Sequence, residues 1–120
     1  MDPASPPRVR RSISDIQADY EAGNTAELET LMRAWKGIKD LPPGDPNAFF
    51  LLGGFHGEPF RGPGAWANAW WGGYCQHGTV LFPTWHRAYL YTLENALRSI
   101  PGCETVTLPF WDECLSLIHI

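Results

Sequence analysis

The stretch from Pro83 to Ile100 most constrains the fold, because its apolar residues recur at the spacing of an α-helix. One face of this helix carries Trp85, Tyr89, Leu93, Ala96 and Ile100. The neighbouring face carries His86, Leu90, Leu93 and Leu97. Apolar positions cover more than half of the circumference, so a mostly buried helix is predicted. On the polar stripe, Glu94 and Arg98 are expected to form a solvated ion pair worth about 0.3 kcal/mol.

Helix signals also precede this stretch, and together they indicate a mainly α fold. Asn24 is the expected N-cap of another helix, since Glu27 follows three residues later. The apolar face of that helix contains Leu28, Leu31, Met32, Trp35 and Ile38. The sequence LPPGDP ends it, and Asp45 followed by Pro46 predicts a short helix through Leu52.

Two segments lack a helical period. Residues 1–11 are rich in proline, which cannot donate a backbone hydrogen bond, so we expect a mobile arm with order beginning near Ser12. Residues 57–73 are rich in glycine, proline and tryptophan. We expect a long ordered loop there, with its aromatic side chains packed on the domain.

Length and composition limit the possible functions. The chain has 120 residues, of which 44% are hydrophobic and 18% charged, which suits one globular domain. A net charge of -4 favours neither nucleic acid nor a membrane surface as partner. No signal peptide or membrane-spanning stretch is recognised, so the cytoplasm is the default expectation. Cys75, Cys103 and Cys114 form no C-x-x-C pair, which argues against a disulfide framework or a four-cysteine zinc site.

Three of the four histidines, His56, His77 and His86, are candidate metal ligands. On one regular helix, His77 and His86 would lie about 13 Å apart on roughly opposite faces. His77 lies among glycines, whereas His86 follows Pro83 and fits a first helical turn, so we expect a loop, a helix start and a preceding helix end to bring the three together. Three imidazoles suit zinc or copper. Structural roles as a loop residue (His56) or a buried imidazole (His86) stay open.

The segment CQHGTVLFPTWHRAYLYTLENAL, followed by LPFWDE, resembles the first copper-binding half of the tyrosinase family of binuclear (type 3) copper proteins, in its fungal and bacterial form. DPNAFFLLGGFHGEPF is similar to the family's segment around its first ligand, and the similarity runs from Arg8 to Glu113. The resemblance implies that His56, His77 and His86 bind one copper ion. It also implies the N-terminal half of a di-copper helical bundle.

The same resemblance implies a chemistry. Full-length members use two copper ions and dioxygen to oxidise monophenols to o-diphenols, or o-diphenols to o-quinones, so phenolic small molecules are the expected substrates. In fungal members, a cysteine two residues before the second histidine ligand is joined to it through sulfur. Cys75 stands two residues before His77 and is therefore a thioether candidate. The alternative is a buried free thiol that packs as a small hydrophobe.

The end of the chain departs from the family pattern. Members continue past PFWDE to three further histidines for a second copper, whereas this chain ends in LSLIHI. That hexapeptide resembles a translated sequencing adapter, so Leu115 to Ile120 is expected to be a non-native tail and His119 is not counted as a ligand. Residues 12–114 would form the first-copper part of the domain. The 120-residue chain alone is expected to be inactive.

Three other functions stay open. A haemocyanin-like oxygen carrier uses the same centre but shields it from phenols. A mononuclear zinc hydrolase needs a general base, and Glu58 is the one carboxylate close in sequence to a ligand. A metal-free interaction domain would use its aromatic residues only as core.

Overall fold

A computed structural model describes residues 7–57 and 74–112, and these ranges contain four α-helices joined by irregular segments. In chain order the helices are α1 (Ile13–Glu21), α2 (Ala26–Asp40), α3 (Phe49–His56) and α4 (Phe82–Arg98). α2 packs against each of the other three. The predicted mainly α class is confirmed. Apart from Gly57, the predicted loop at 57–73 lies outside the described residues, as do the predicted tail at 115–120 and Cys114.

α1 was not predicted, because its apolar pattern is weak. Only Ile16 of this helix is buried. Its start has a clear local cause, since the hydroxyl of Ser12 accepts a hydrogen bond of 3.1 Å from the backbone N–H of Asp15. The helix therefore depends on its cap and on contact with α2 more than on an apolar face.

The predicted cap of α2 is wrong. The N-cap is Thr25, and its side chain makes no capping hydrogen bond. Asn24 belongs instead to the end of α1, where its backbone N–H donates to the carbonyl of Asp19 at 2.8 Å. Gly23 has a φ of 95°, which turns the chain after α1 and places the backbone N–H of Asn24 near the carbonyl of Asp19.

The core lies where α2 meets α3, α4 and the segment after α4. Of the predicted apolar face of α2, Leu31 and Ile38 are buried, but Met32 is 64% exposed and Ala34 takes a core position instead. The buried cluster contains Leu31, Ala34, Ile38, Leu52, Leu93, Ala96, Leu97, Cys103, Val106 and Leu108. Cys103 is fully buried in this cluster.

α3 starts and ends later than predicted. The carboxylate of Asp45 accepts a hydrogen bond from the backbone N–H of Asn47 at 2.8 Å, which stabilises a turn rather than a helix start. The helix begins at Phe49 and continues past Leu52 to His56. The later end matters for function, because His56 becomes part of a helix.

α4 begins at Phe82, with Pro83 in its first turn as predicted, and ends at Arg98, two residues before the predicted end at Ile100. The prediction of a mostly buried helix is wrong, because only Leu93, Glu94, Ala96 and Leu97 of its 17 residues are buried. Phe82 and Leu90 are 43% and 40% exposed. The buried face therefore lies in the C-terminal half of the helix. None of the four helices is long and apolar enough to cross a bilayer.

The predicted ion pair between Glu94 and Arg98 is wrong. Arg98 donates to the backbone carbonyl of Val106 at 3.0 Å. Glu94 is only 1% exposed and accepts hydrogen bonds from Arg8 at 2.9 Å and Arg10 at 3.0 Å. Periodicity within one helix could not reveal this, because the partners are more than eighty residues away.

Residues 8–11, assigned from the sequence to a mobile arm, make defined contacts. Besides the two arginines on Glu94, Arg11 forms ion pairs with Asp19 at 2.8 Å and Glu27 at 2.5 Å. A short parallel bridge joins Ser12 to Phe110, next to these contacts. Residues 1–6 lie outside the described residues.

Candidate metal centre

His56, His77 and His86 come from three different segments, as predicted. His56 is the last residue of α3, His86 lies in the second turn of α4, and His77 lies in the irregular segment before α4. One ring nitrogen from each histidine lies within 4.8 Å of the others. The three side chains therefore form one cluster rather than three separate features.

Local backbone contacts explain why His77 returns to the end of α3. The backbone N–H of Tyr74 donates to the carbonyl of Phe55 at 2.8 Å, and the rings of these two residues lie 6.0 Å apart. This contact fixes the chain beside the end of α3 just before His77. Gly78, at a φ of 70°, then allows the turn towards α4.

The orientation of the His86 ring is set by its own helix. Its Nδ1 lies 2.8 Å from the carbonyl oxygen of Phe82. A carbonyl can only accept, so Nδ1 carries the proton, and in the neutral ring Nε2 presents a lone pair. That Nε2 lies 3.3 Å from Nε2 of His56.

The separation between two of the three ring nitrogens fits a shared metal ion. Nitrogen ligands of zinc lie about 2.0–2.1 Å from the ion, so two of them in trigonal or tetrahedral geometry are roughly 3.3–3.6 Å apart. The separation of 3.3 Å between Nε2 of His56 and Nε2 of His86 is within that range. The three ring centroids are 4.8–5.4 Å apart, with nearly perpendicular planes. His56 and His86 therefore have the spacing of two ligands of one ion, and a ring nitrogen of His77, within 4.8 Å of theirs, would move closer when a metal binds.

The electrostatics favour the neutral form that binds metals. Burial lowers the pKa of His56, and the neighbouring rings of His86 and His77 lower it further when they are charged. Deprotonated imidazole is the form that ligates, so this shift extends metal binding to lower pH. Among the described residues, the cluster consists of histidines alone. Glu58, the candidate base of the zinc hydrolase alternative, lies outside them.

Aromatic side chains surround the cluster. Phe82 lies 4.3 Å from the ring of His86 and 5.4 Å from that of His77, centroid to centroid. Trp85 lies 4.9 Å from His86 and 6.0 Å from His56. Their positions suit a role in holding the imidazoles in place. They shield the histidines on the side of α4.

Tyr89 is the site residue that sequence reasoning missed. Its ring lies 5.6 Å from that of His56, and its hydroxyl donates to the carbonyl of Leu52 at 3.1 Å. Burial raises the pKa of Tyr89, and the nearby Cys75 raises it further, so the hydroxyl remains a donor at neutral pH. Its position four residues after Trp85 is the available signal, but that spacing alone predicts only a core residue. Cys75 is a half-buried free thiol.

Comparison with known proteins agrees with this geometry. Residues 46–118 match a family model described as the common central domain of tyrosinase. Tyrosinase HcTyr2 from Hahella sp. is 55% identical over 94% of this chain, which covers 22% of that protein. The chain thus spans about a fifth of the length of this relative.

Solved tyrosinase structures have a fold similar to that of this chain. The structure of the Burkholderia thailandensis tyrosinase at low pH superposes with a TM-score of 0.75, at 56% identity, over 89% of this chain and 21% of that one. A copper-bound Aspergillus oryzae tyrosinase mutant complexed with L-tyrosine gives a TM-score of 0.71 at 26% identity, over 93% of this chain and 32% of that one.

Proposed function

The chain belongs to the tyrosinase family, and on that premise we propose that it forms the first of two copper sites in a phenol oxidase, with His56, His77 and His86 as ligands. The observation that supports this most strongly is the convergence of the three imidazoles, whose ring nitrogens lie within 4.8 Å of one another. A metal-free interaction domain has no need of this arrangement.

The tyrosinase family is copper-dependent, and bound copper supplies the electron transfer that lets dioxygen oxidise a phenol. The residues of this chain have supporting roles. The carbonyl of Phe82 holds the Nδ1 proton of His86 and leaves Nε2 for the metal. Burial lowers the pKa of His56 and so favours its neutral, metal-binding form. The rings of Phe82 and Trp85 pack against His86 and His56 and would hold these imidazoles in place.

The whole protein would oxidise monophenols or o-diphenols to o-quinones with dioxygen. Support comes from the L-tyrosine complex of the Aspergillus oryzae relative. Because this chain spans only about a fifth of the length of its relative HcTyr2, we propose that the remaining sequence supplies the second copper site. The 120-residue chain alone would then bind one copper and turn over no phenol.

Cys75 is proposed to form a thioether with His77 in the copper-loaded protein. The thiol loses its hydrogen, the imidazole carbon loses its hydrogen, and a carbon–sulfur bond forms, so two electrons and two protons leave. Dioxygen, the oxidant of the proposed reaction, would accept them. The bond would restrict the His77 ring, which otherwise lies exposed in an irregular segment.

A copper titration tests the proposed site. The 120-residue chain is titrated with Cu(II) against a competing chelator, alongside His56→Ala, His77→Ala and His86→Ala. We expect one copper per chain and at least a tenfold weaker affinity in each variant. His119→Ala is the matched control and should bind as tightly as the unmodified chain. Equal affinity in all four variants would contradict the assignment.

A turnover assay separates the enzyme from the oxygen carrier. A longer chain that contains residues 12–114 and a second histidine set is loaded with copper and given catechol. We expect o-quinone formation. Reversible oxygen binding without catechol oxidation would instead support the haemocyanin-like alternative.

A further inference from the structure

Tyr89 connects the helix that carries His86 to the helix that carries His56. Its hydroxyl donates to the carbonyl of Leu52 at 3.1 Å, across a sequence separation of 37 residues. Leu52 lies four residues before His56, so its carbonyl is the one that an α-helix pairs with the N–H of His56. The hydroxyl of Tyr89 is therefore attached to the turn that ends in this histidine.

The ring of Tyr89 forms part of a surface behind His56. Tyr89 and Trp85 are stacked, with centroids 5.3 Å apart and planes inclined by 16°. The His56 ring lies 5.6 Å from Tyr89 and 6.0 Å from Trp85. On its other sides His56 faces the rings of His77 and His86, each at 5.4 Å. The stacked pair thus limits the orientations open to the His56 ring.

We propose that Tyr89 is a positioning residue for the metal site, which fixes the end of α3 through its hydroxyl and orients the His56 imidazole through its ring. The proposal rests on the proposed function of the histidines. Neighbours that hold a ligand in its binding orientation commonly change metal affinity by about 10–100-fold when they are removed. Tyr89 differs from Phe82 and Trp85 because its side chain contacts both the backbone of α3, at Leu52, and the imidazole ring of His56.

A graded pair of variants separates the two contributions. Tyr89→Phe removes the hydroxyl and keeps the stacked ring, whereas Tyr89→Leu removes both. We expect copper affinity to fall about tenfold in the first variant and further in the second. The electron paramagnetic resonance spectrum of the Cu(II)-loaded chain should change in both.

Tyr91→Phe is the matched control, because Tyr91 is on the same helix, is 38% exposed and takes part in none of the ring contacts described for His56, His77 and His86. It should keep the affinity and the spectrum of the unmodified chain. Unchanged affinity and spectrum in Tyr89→Phe and Tyr89→Leu would overturn the proposal, and so would equal changes in Tyr91→Phe.

Nitrogen NMR of the metal-free chain keeps this test separate from that of the proposed function. Removing the hydroxyl should broaden or split the His56 ring signals, while Tyr91→Phe leaves them unchanged. If the unmodified chain bound no copper, the proposed function would fail, and the NMR result would still decide the role of Tyr89. Unaltered His56 signals in Tyr89→Leu would refute the positioning role.

Discussion

The carboxylate of Glu94 accepts a hydrogen bond of 2.9 Å from the backbone N–H of Leu108. Arg8 and Arg10 donate to the same carboxylate, at 2.9 and 3.0 Å. One buried charge on α4 therefore holds both the N-terminal segment and the segment that follows α4. Since His86 lies on the same helix, this contact anchors the helix that carries one of the proposed ligands.

Replacing Glu94 with glutamine should destabilise the chain. The change removes the charge that two guanidinium groups share and leaves buried polar groups poorly paired, so we expect a loss of about 2 kcal/mol in the free energy of unfolding. Arg8 and Arg10 are 31% and 37% exposed and can turn towards water, which limits the loss. Chemical denaturation measures it. Glu29→Gln, which changes an exposed carboxylate on α2, should stay within about 0.5 kcal/mol.

The free energy of unfolding should decrease at acidic pH, partly because Glu94 becomes protonated. Burial alone would raise its pKa, but hydrogen bonds from Leu108, Arg8 and Arg10 more than offset this and hold the pKa below its usual range. The unfolded chain therefore takes up the proton first, so the stabilisation is present above the ordinary carboxyl pKa of 4.5 and is lost as pH falls from there through the folded pKa.

Thermal unfolding at a series of pH values checks this sign. The melting temperature of the unmodified chain should fall more steeply below about pH 5 than that of Glu94→Gln. Glu104, whose pKa is lowered by hydrogen bonds to its own backbone N–H and that of Gly102, is present in both chains and cancels in the difference. Parallel curves would contradict the role given to Glu94.

Gly37 allows α2 to approach the end of α4. A Cβ at this position would lie 2.8–2.9 Å from three side-chain carbons of Ile100, whose β-branched side chain has little freedom to move. We expect Gly37→Ala to lose about 1 kcal/mol of stability, because the clash outweighs the better helix propensity of alanine. Gly53→Ala, in α3, should gain up to about 1 kcal/mol, because among the described residues no atom beyond its chain neighbours and its own helix backbone lies within 4 Å of the new Cβ. Equal effects of the two substitutions would refute this packing argument.

The proposed thioether predicts a specific change in mass. After loading with copper in air, the longer chain that contains the second histidine set should weigh two hydrogens less than its sequence mass, and Cys75 should resist alkylation. Cys75→Ala is the control and should show no such loss. A fully alkylatable Cys75 after copper loading would rule out the bond.

The sequence predicted the site better than its surroundings. Repeats of three and four residues identified α4, and the glycines beside His77 separated it from the helix of His86, which is why their convergence could be foreseen. Tyr89 was missed because periodicity reports which face a residue occupies. It does not report that a hydroxyl on that face reaches the carbonyl of Leu52.

The errors share a physical cause. Glu94 was predicted to pair with Arg98, its neighbour along the helix, but the chain buries it against residues more than eighty positions away. Asn24 and Asp45 are both good caps by residue type, yet each is used in a turn. Tertiary contacts decide between such local options, and their energies do not appear in a pattern read along the chain.

X-ray absorption at the copper edge of the loaded chain tests the central claim most directly, because it counts the groups bound to the metal. The account predicts three imidazole nitrogens at about 2.0 Å, falling to two in His77→Ala. A copper shell with fewer than three imidazoles in the unmodified chain, or one that is unchanged in His77→Ala, would contradict it.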